Sequence, residues 1–234
     1  MIGLLRIILD ISAIKKTIFR ELKQRIIGKS QYGNIEWKNA NFEWYSKIHD
    51  ANFLVHQNFM KYFLDRKKDV KTVIEVGCGA GVYAIRYKDL FNDLHYTGLD
   101  ISKEAIEYCK KNSDFNFICD DLIKMEITQK YDLVYSHAVI DHVYDVDAFI
   151  SKLILMCKKY AYINAYRGYF PNLDKHQMTW RDDDGCYYND LSVNQVKEIL
   201  LKNGLKEDEF IIRPQEDGLG VKQTVIEITR LYIK

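Results

Sequence analysis

One short stretch of the chain combines glycines with an acidic residue in a pattern that could hold a ligand. Its members are Glu75, Gly77, Gly79 and Gly81. Glycines at every second position let the backbone adopt conformations closed to other residues and come close to a bound molecule. Asp100 follows the next apolar run, and a carboxylate there can accept hydrogen bonds from both hydroxyls of a ribose. The spacing therefore predicts a site for a nucleoside-bearing ligand.

Short apolar runs predict the buried strands that position these groups. The runs are residues 72–76, 94–99, 115–119, 131–136 and 160–164. Residues 209–213 and 224–233 alternate around a turn with Gly218, which predicts an antiparallel pair. Helix spacing and capping residues predict the remaining elements. These helices lie at about residues 50–66 and 83–91, and after caps at Ser102, Asp145 and Ser192.

The glycine spacing distinguishes two kinds of nucleotide-binding turn. A dinucleotide-binding turn requires glycine at position 82, where this chain has Val82. The sequence Glu-x-Gly-x-Gly-x-Gly on a buried strand instead closely resembles motif I of the class I methyltransferases that use S-adenosylmethionine (SAM). The resemblance covers about residues 68–234. It implies an α/β, Rossmann-like sheet of seven mostly parallel strands, with an antiparallel C-terminal edge hairpin and helices on both faces.

The same resemblance implies the domain organisation and a set of SAM-binding residues. We expect the SAM-binding domain at residues 67–234, after an N-terminal amphipathic helix and helical lid segment at residues 1–66. The implied SAM-binding residues are Glu75, Gly77, Cys78, Gly79, Gly81, Asp100, Ile101, Asp121, Leu122 and Ser136. Asp100 would bind the ribose, and Ile101 would pack on the adenine. An acid after the third strand accepts from the adenine amino group in the family, and the match favours Asp121 over Asp120.

Three histidines are candidates for the general base that a hydroxyl acceptor needs. His142 is the first choice, because residues 137–143 resemble the L-x-H-V segment of the methyltransferase group that includes quinone-biosynthesis enzymes. The strand before it should end beside the sulfonium. His137 and His176 are the alternatives. Some relatives hold a divalent metal through two acids and this histidine, but Ala138 replaces one acid here, so no metal site is expected.

Two aromatic segments supply the expected acceptor-binding residues. These are Trp44, Tyr45, Tyr166, Arg167, Trp180 and Arg181. In many enzymes of this type the segment before the core folds over the cofactor as a lid, which is one interpretation of residues 31–50. Burial of their aromatics in the core is the other. Residues 165–190 lack periodicity, and ordered loops of this length are typically functional. Aromatic faces with Arg, Asp and His between them suit a sugar ring.

The amino-acid composition indicates which binding partners and which cellular compartment to expect. With 34 basic and 33 acidic residues, the net charge of +1 gives no reason to expect nucleic acid. The five cysteines form no C-x-x-C pair and predict reduced thiols in a cytoplasmic protein.

Residues 1–30 have apolar residues at helical spacing, with seven basic and two acidic side chains that interrupt any membrane span. We expect a helix that packs on the core, mediates a homodimer or lies on an anionic membrane surface.

These observations together predict a SAM-dependent methyltransferase that acts on a small polar acceptor and yields S-adenosylhomocysteine. The sharper hypothesis is a hydroxyl of a sugar in a bacterial surface-polysaccharide pathway, either nucleotide-linked or lipid-linked. One alternative is N-methylation of a small amine or phospho-amine. The other is a non-catalytic module that binds SAM and a partner protein.

Overall fold

The computed structural model describes residues 53–182, 185–218 and 220–230. The predictions for residues 1–52, including the basic helix and the acceptor-binding roles of Trp44 and Tyr45, lie outside these described residues. The described part begins with helix α1, Phe53–Leu64, within the helix predicted at residues 50–66. Among the described residues, no helix is both long and apolar enough to cross a bilayer.

A seven-stranded sheet forms the centre of the protein, and a separate two-stranded hairpin accompanies it. The strands are β1 (Thr72–Val76), β2 (His95–Asp100), β3 (Asn116–Cys119), β4 (Tyr131–His137), β5 (Cys157–Ala165), β6 (Gln177–Arg181), β7 (Cys186–Asp190), β8 (Phe210–Glu216) and β9 (Lys222–Thr229). The order across the sheet is β3-β2-β1-β4-β5-β9-β8. Strands β1 to β5 are parallel, whereas β9 runs antiparallel to both β5 and β8. The predicted seven-stranded, Rossmann-like fold is therefore confirmed.

This strand order determines where a ligand can bind. The chain continues from β1 to β2 on one side, and β4 pairs with β1 on the other side. Ligands of open α/β sheets bind in the crevice outside the carboxyl ends of the strands, at such a switch point. The glycines that follow β1 therefore belong to the same edge of the sheet as His137, which ends β4, and His142, which follows it.

Helices cover both faces of the sheet. Besides α1 they are α2 (Lys103–Asn112), α3 (Val146–Met156) and α4 (Val193–Lys202). Side-chain oxygens of Ser102, Asp145 and Ser192 accept hydrogen bonds from backbone N–H groups in the first turns, which confirms the three predicted caps. One apolar layer packs α3 and α4 on the sheet. The other packs α1 on the opposite face, where Phe59 stacks on the Tyr135 ring at 4.2 Å.

The prediction of one continuous helix at residues 83–91 is wrong. A π-helical turn, Val82–Arg86, and a 3₁₀ turn, Lys88–Leu90, follow the glycines instead. Tyr83 turns inward and is buried, with its hydroxyl 2.7 Å from His56 Nδ1 and 3.2 Å from His137 Nδ1. The backbone leaves helical geometry at Tyr87, where φ is −114°. Apolar spacing alone did not distinguish these two short turns from one helix.

The prediction that residues 165–190 form a loop without regular structure is also wrong in part. Strands β6 and β7 pair there as an antiparallel hairpin. Trp180 lies opposite Tyr187, and their rings meet edge to face at 5.1 Å. Every residue of β6 except Trp180 is exposed, so no hydrophobic alternation marks this strand in the sequence.

Candidate functional site

The glycine turn, residues 77–81, lies at the carboxyl end of β1. Its three glycines have φ of 80°, 51° and 74°, in the left-handed region that favours glycine. A Cβ on Gly77 would also lie 2.1 Å from Val139 Cγ2, so the turn packs closely against the segment after β4. The backbone N–H groups of Gly77 and Cys78 both donate to the carbonyl oxygen of Leu99. Only glycine fits this combination of conformation and contact.

Asp100 joins the end of β2 to the glycine turn. Its Oδ2 accepts from the Gly79 N–H and its Oδ1 from the Ser102 N–H, each at 2.8 Å. The carboxylate is 7% exposed, and burial raises its pKa above the ordinary value although the backbone donors lower it. Each oxygen of a carboxylate can accept more than one hydrogen bond. The group therefore retains capacity for ribose hydroxyls, as its position predicts.

The remaining predicted SAM-binding residues lie along the same edge. Asp121 is buried after β3, and its carboxylate accepts from the Tyr144 hydroxyl and the Ile123 N–H, each at 3.1 Å. Leu122 packs in the apolar layer beneath α3, and Ile101 is partly exposed. Ser136 is buried, and among the described residues nothing hydrogen-bonds to its hydroxyl. A polar ligand at the end of β4 would supply the missing partner.

Glu75 faces the apolar layer beneath α1. One carboxyl oxygen, Oε2, accepts hydrogen bonds from the hydroxyls of Tyr96 and Tyr135. The side chain is 3% exposed, and burial raises its pKa to about 8 against the lowering effect of both tyrosines. A role in SAM binding stays a prediction for Glu75. The observed contacts instead join β1, β2 and β4 beneath the glycine turn.

His142 lies in a 3₁₀ turn, Ile140–His142, directly after β4. Its Nδ1 is 2.8 Å from the backbone carbonyl oxygen of Tyr187 on β7. A carbonyl oxygen only accepts hydrogen bonds, so Nδ1 carries a proton and the ring, in its neutral form, presents its lone pair at Nε2. The Tyr166 hydroxyl, 3.1 Å away, donates to Nε2. The ring is thus held in the tautomer that can accept a proton on the side facing Tyr166.

Asp141 positions Tyr166 against this ring. Its two carboxyl oxygens accept hydrogen bonds from the backbone N–H groups of Tyr166 at 3.2 Å and Arg167 at 3.1 Å. Burial raises the pKa of Asp141 to about 7, although these backbone donors lower it. The sequence analysis missed this residue. The available signal was an acid next to His142 within an otherwise apolar stretch.

Tyr188 on β7 is the centre of an aromatic and basic cluster. Its ring lies 5.1 Å from the His142 ring, edge to face. The guanidinium carbons of Arg167 and Arg181 lie 4.9 and 4.5 Å from the Tyr188 centroid. Arg167 is also paired with Asp190 at 2.8 Å. We call this group the acceptor cluster, which consists of His142, Tyr166, Arg167, Arg181 and Tyr188.

The structure therefore brings together four of the residues predicted for acceptor binding and catalysis. Trp180 lies beside them on β6, where its indole N–H donates to Asp182 at 2.8 Å. Tyr188 was missed, because one tyrosine among the many of residues 165–190 carries no signal without the β6–β7 pairing.

The two alternative histidines lie in different surroundings. His137 faces the α1 side of the sheet beside Tyr83, where burial and the neighbouring His56 lower its pKa to about 3. The chain then changes direction at Ala138, whose φ is 55°. His176 Nδ1 accepts from the Ser192 N–H at the start of α4, and its Nε2 lies 3.7 Å from Asp147. These contacts give His176 a role in anchoring the hairpin to α4.

Comparisons with known proteins identify the family of this chain. Residues 67–204, more than half of the chain, match the family model described as a methyltransferase domain. The chain is 29% identical over 107 residues to malonyl-[acyl-carrier protein] O-methyltransferase 2 of Ilyobacter polytropus, covering 43% of this chain and 41% of that protein. It is 30% identical over 92 residues to a probable (S)-tetrahydroprotoberberine N-methyltransferase 2 of Papaver bracteatum, covering 37% of this chain and 26% of that protein. The chain thus spans less than half the length of these curated relatives.

Solved structures show the same fold. Magnesium protoporphyrin IX methyltransferase from Synechocystis PCC 6803, with bound S-adenosylhomocysteine, superposes with a TM-score of 0.59 at 17% identity. The superposition covers 85% of this chain and 98% of that one. At this identity, the likeness shows the arrangement of the sheet and helices.

Proposed function

We propose that this chain, which belongs to the methyltransferase-domain family, is a SAM-dependent methyltransferase that methylates a hydroxyl of a small polar acceptor, with His142 as general base. The sharper form of the proposal is a sugar of a bacterial surface-polysaccharide pathway, nucleotide-linked or lipid-linked. One observation carries the proposal. The neutral His142 ring is held by the Tyr187 carbonyl with Nε2 toward the Tyr166 hydroxyl, inside the acceptor cluster.

The residues that would hold the cofactor lie at the carboxyl edge of β1, β2, β3 and β4. When bound, SAM supplies a methyl group on a positively charged sulfur. Asp100 would accept hydrogen bonds from the ribose, Asp121 would face the adenine edge, and Ser136 would bind near the end of β4. The unpartnered Ser136 hydroxyl and the close backbone of the glycine turn support this assignment.

The acceptor cluster supplies the proton chemistry. A hydroxyl is a weak nucleophile until its proton is removed, and His142 Nε2 accepts that proton. The Tyr187 carbonyl, which already accepts from Nδ1–H, stabilises the charged ring that results. Burial raises the pKa of Tyr166, so its hydroxyl stays protonated and donates either to His142 or to the acceptor oxygen. Positioning of the two reactants supplies the rest of the rate.

The composition of the cluster supports a sugar as the acceptor. Tyr166 offers an aromatic ring beside the hydrogen-bonding ring of His142, and Tyr188 holds the Arg167 guanidinium next to them. A sugar ring is bound by stacking of its C–H face together with hydrogen bonds to its hydroxyls. The base at the centre is consistent with a hydroxyl, because an amine that is already deprotonated needs none.

Esterification of a carboxylate is a second candidate. The relative from Ilyobacter polytropus is named for a malonyl acceptor, and the guanidinium groups of Arg167 and Arg181 lie together over Tyr188. A carboxylate binds well to such groups and needs no general base. Under this candidate, His142 would only position the acceptor, and its replacement would have little effect on the methyl-transfer step.

A mass-spectrometric screen tests the proposal. The purified chain is incubated with SAM and pools of nucleotide sugars, dicarboxylates and phospho-amines, and products heavier by one methylene are sought. A methylated sugar hydroxyl supports the proposal. A methyl ester or an N-methylated product overturns it in favour of the corresponding alternative. SAM binding without turnover in any pool favours a non-catalytic module that binds a partner.

A further inference from the structure

A row of uncharged polar side chains crosses four strands on the α1 face of the sheet. Its members are His137 on β4, Asn164 on β5, Gln223 on β9 and Gln215 on β8. His137 is the register partner of Asn164, and Gln215 that of Gln223. The Asn164 amide nitrogen donates to Gln223 Oε1 at 2.8 Å, and the Tyr162 hydroxyl donates to Gln215 Oε1 at 3.1 Å. We call this set the polar row.

The polar row keeps unused hydrogen-bonding capacity inside the protein. Asn164 is 1% exposed, yet among the described residues nothing hydrogen-bonds to its Oδ1. The same holds for Nε2 of His137 and Nε2 of Gln215, both buried atoms. Buried polar atoms without partners are destabilising and rare in native proteins, so each requires an explanation. A ligand that bonds to all three atoms provides one.

The hydrogen bonds of Tyr83 determine what His137 offers to such a ligand. The Tyr83 hydroxyl lies 2.7 Å from His56 Nδ1 and 3.2 Å from His137 Nδ1, and we assign its single proton to the shorter of these two contacts. His137 Nδ1–H then donates to the Tyr83 oxygen, and His137 Nε2 is an acceptor. The row thus presents two acceptors, His137 Nε2 and Asn164 Oδ1, and one donor, the Gln215 amide.

The chemistry of the row selects for neutral groups. None of its members carries a charge, because burial and His56 keep His137 neutral. Arg213, which reaches Gln215 at 3.4 Å, is already paired with Glu227 at 2.6 Å. A carboxylate, phosphate or ammonium group would lose its hydration here without gaining a counter-charge. Hydroxyl groups both donate and accept, so they match the mixture of acceptors and donor.

One end of the row lies at the carboxyl edge of the sheet, next to the site already described. His137 is its partly exposed end and is the last residue of β4, directly after Ser136. Asn164 lies beside it near the end of β5. A ligand that enters at this carboxyl edge therefore reaches the row from the same side as the glycine turn.

We propose that the polar row is a recognition subsite for the uncharged, hydroxyl-rich part of the acceptor, such as a neutral sugar ring or polyol. This inference rests on the proposed methyl transfer and specifies its substrate class. The acceptor cluster would hold the reacting hydroxyl, while His137, Asn164 and Gln215 would bind hydroxyls that do not react. The row selects against acceptors that are charged in this region.

The test uses neutral methyl glycosides of glucose, galactose, mannose and rhamnose as probes, with malonate and phosphoethanolamine as charged probes. Asn164→Leu and Gln215→Leu remove hydrogen-bonding groups at similar size. Asn112→Leu, at the exposed end of α2, is the matched control. Saturation-transfer NMR with S-adenosylhomocysteine present measures probe binding, and steady-state kinetics with SAM measure KM and kcat. SAM affinity of each variant reports that the fold is intact.

We expect at least one neutral glycoside to bind the wild-type protein. Asn164→Leu and Gln215→Leu each raise the Kd or KM for this glycoside at least tenfold relative to wild type. Both variants keep kcat within about threefold and SAM affinity within twofold of the wild-type values. The control stays at wild-type values. Glycoside binding that is lost in the variants supports the subsite even where no methyl transfer occurs, so failure of the proposed function is distinguishable. Methyl transfer with unchanged KM in both row variants overturns the inference, as does wild-type protein that binds only charged probes.

Discussion

Replacement of Glu75 by glutamine tests the buried carboxyl network beneath the glycine turn. Burial raises the pKa of Glu75 from 4.5 to about 8, while the hydroxyls of Tyr96 and Tyr135 donate to it. Between these pH values the folded protein keeps a proton that the unfolded chain has lost. The free energy of unfolding therefore falls as pH rises through this window and levels off above about pH 8. Glutamine has nearly the same shape and cannot ionise, so the variant lacks this fall.

The size of the effect follows from the difference in pKa. Each unit corresponds to about 1.4 kcal/mol, and the full shift from 4.5 to about 8 corresponds to about 5 kcal/mol. Between pH 5 and pH 8, the free energy of unfolding therefore falls by about 3 kcal/mol because of Glu75. Urea unfolding of both proteins, followed by circular dichroism at four pH values across this range, measures it. Other titrating groups are common to both proteins and cancel in the difference.

We expect the Glu75→Gln variant to gain about 3 kcal/mol relative to wild type between pH 5 and pH 8. Glu104→Gln, on the exposed side of α2, controls for removal of a carboxylate. A difference between variant and wild type that stays constant with pH would show that Glu75 is ionised in the folded state. The description of this network as a neutral, buried link between strands would then be wrong.

Three further changes test the site. Asp100→Ala should weaken SAM binding at least tenfold by calorimetry, because two charge-assisted hydrogen bonds contribute more than about 1.4 kcal/mol; unchanged affinity would contradict the ribose assignment. Gly77→Ala should weaken SAM binding by a similar factor, since its Cβ would meet Val139 at 2.1 Å, and wild-type affinity would refute the close packing of the turn. Tyr166→Phe, which removes the hydroxyl 3.1 Å from His142, should lower kcat about tenfold with SAM affinity unchanged; equal rates would exclude Tyr166 from the proton path.

The sheet was predictable from the sequence because its central strands, β1, β2 and β4, are buried on both faces. The runs at residues 72–76 and 131–136 are short and mostly apolar, and Gly77 and His137 follow them. Helix caps were predictable for a similar reason, since Ser102 and Ser192 act on their own first turns. Each of these signals depends only on residues near in sequence.

The missed features depend on contacts between distant residues. Strand β6 is exposed and is defined by pairing with β7, so its own sequence carries no alternation. The inward turn of Tyr83 depends on His56 and His137, which lie 27 and 54 residues away. Asp141 acquired its role from the backbone of Tyr166, 25 residues later. The sequence therefore predicted the strand and glycine turn at the carboxyl edge of β1 better than the contacts within the acceptor cluster.

The most direct measurement for the central claim is the single-turnover rate of methyl transfer to the first hydroxyl acceptor that the screen identifies, in wild type and His142→Gln. A general base contributes at least about a hundredfold. We expect the rate to fall by that factor while SAM affinity stays within twofold. An equal rate in the two proteins, or methylation of a carboxylate alone, would contradict the assignment of His142 as the base of a hydroxyl methyltransferase.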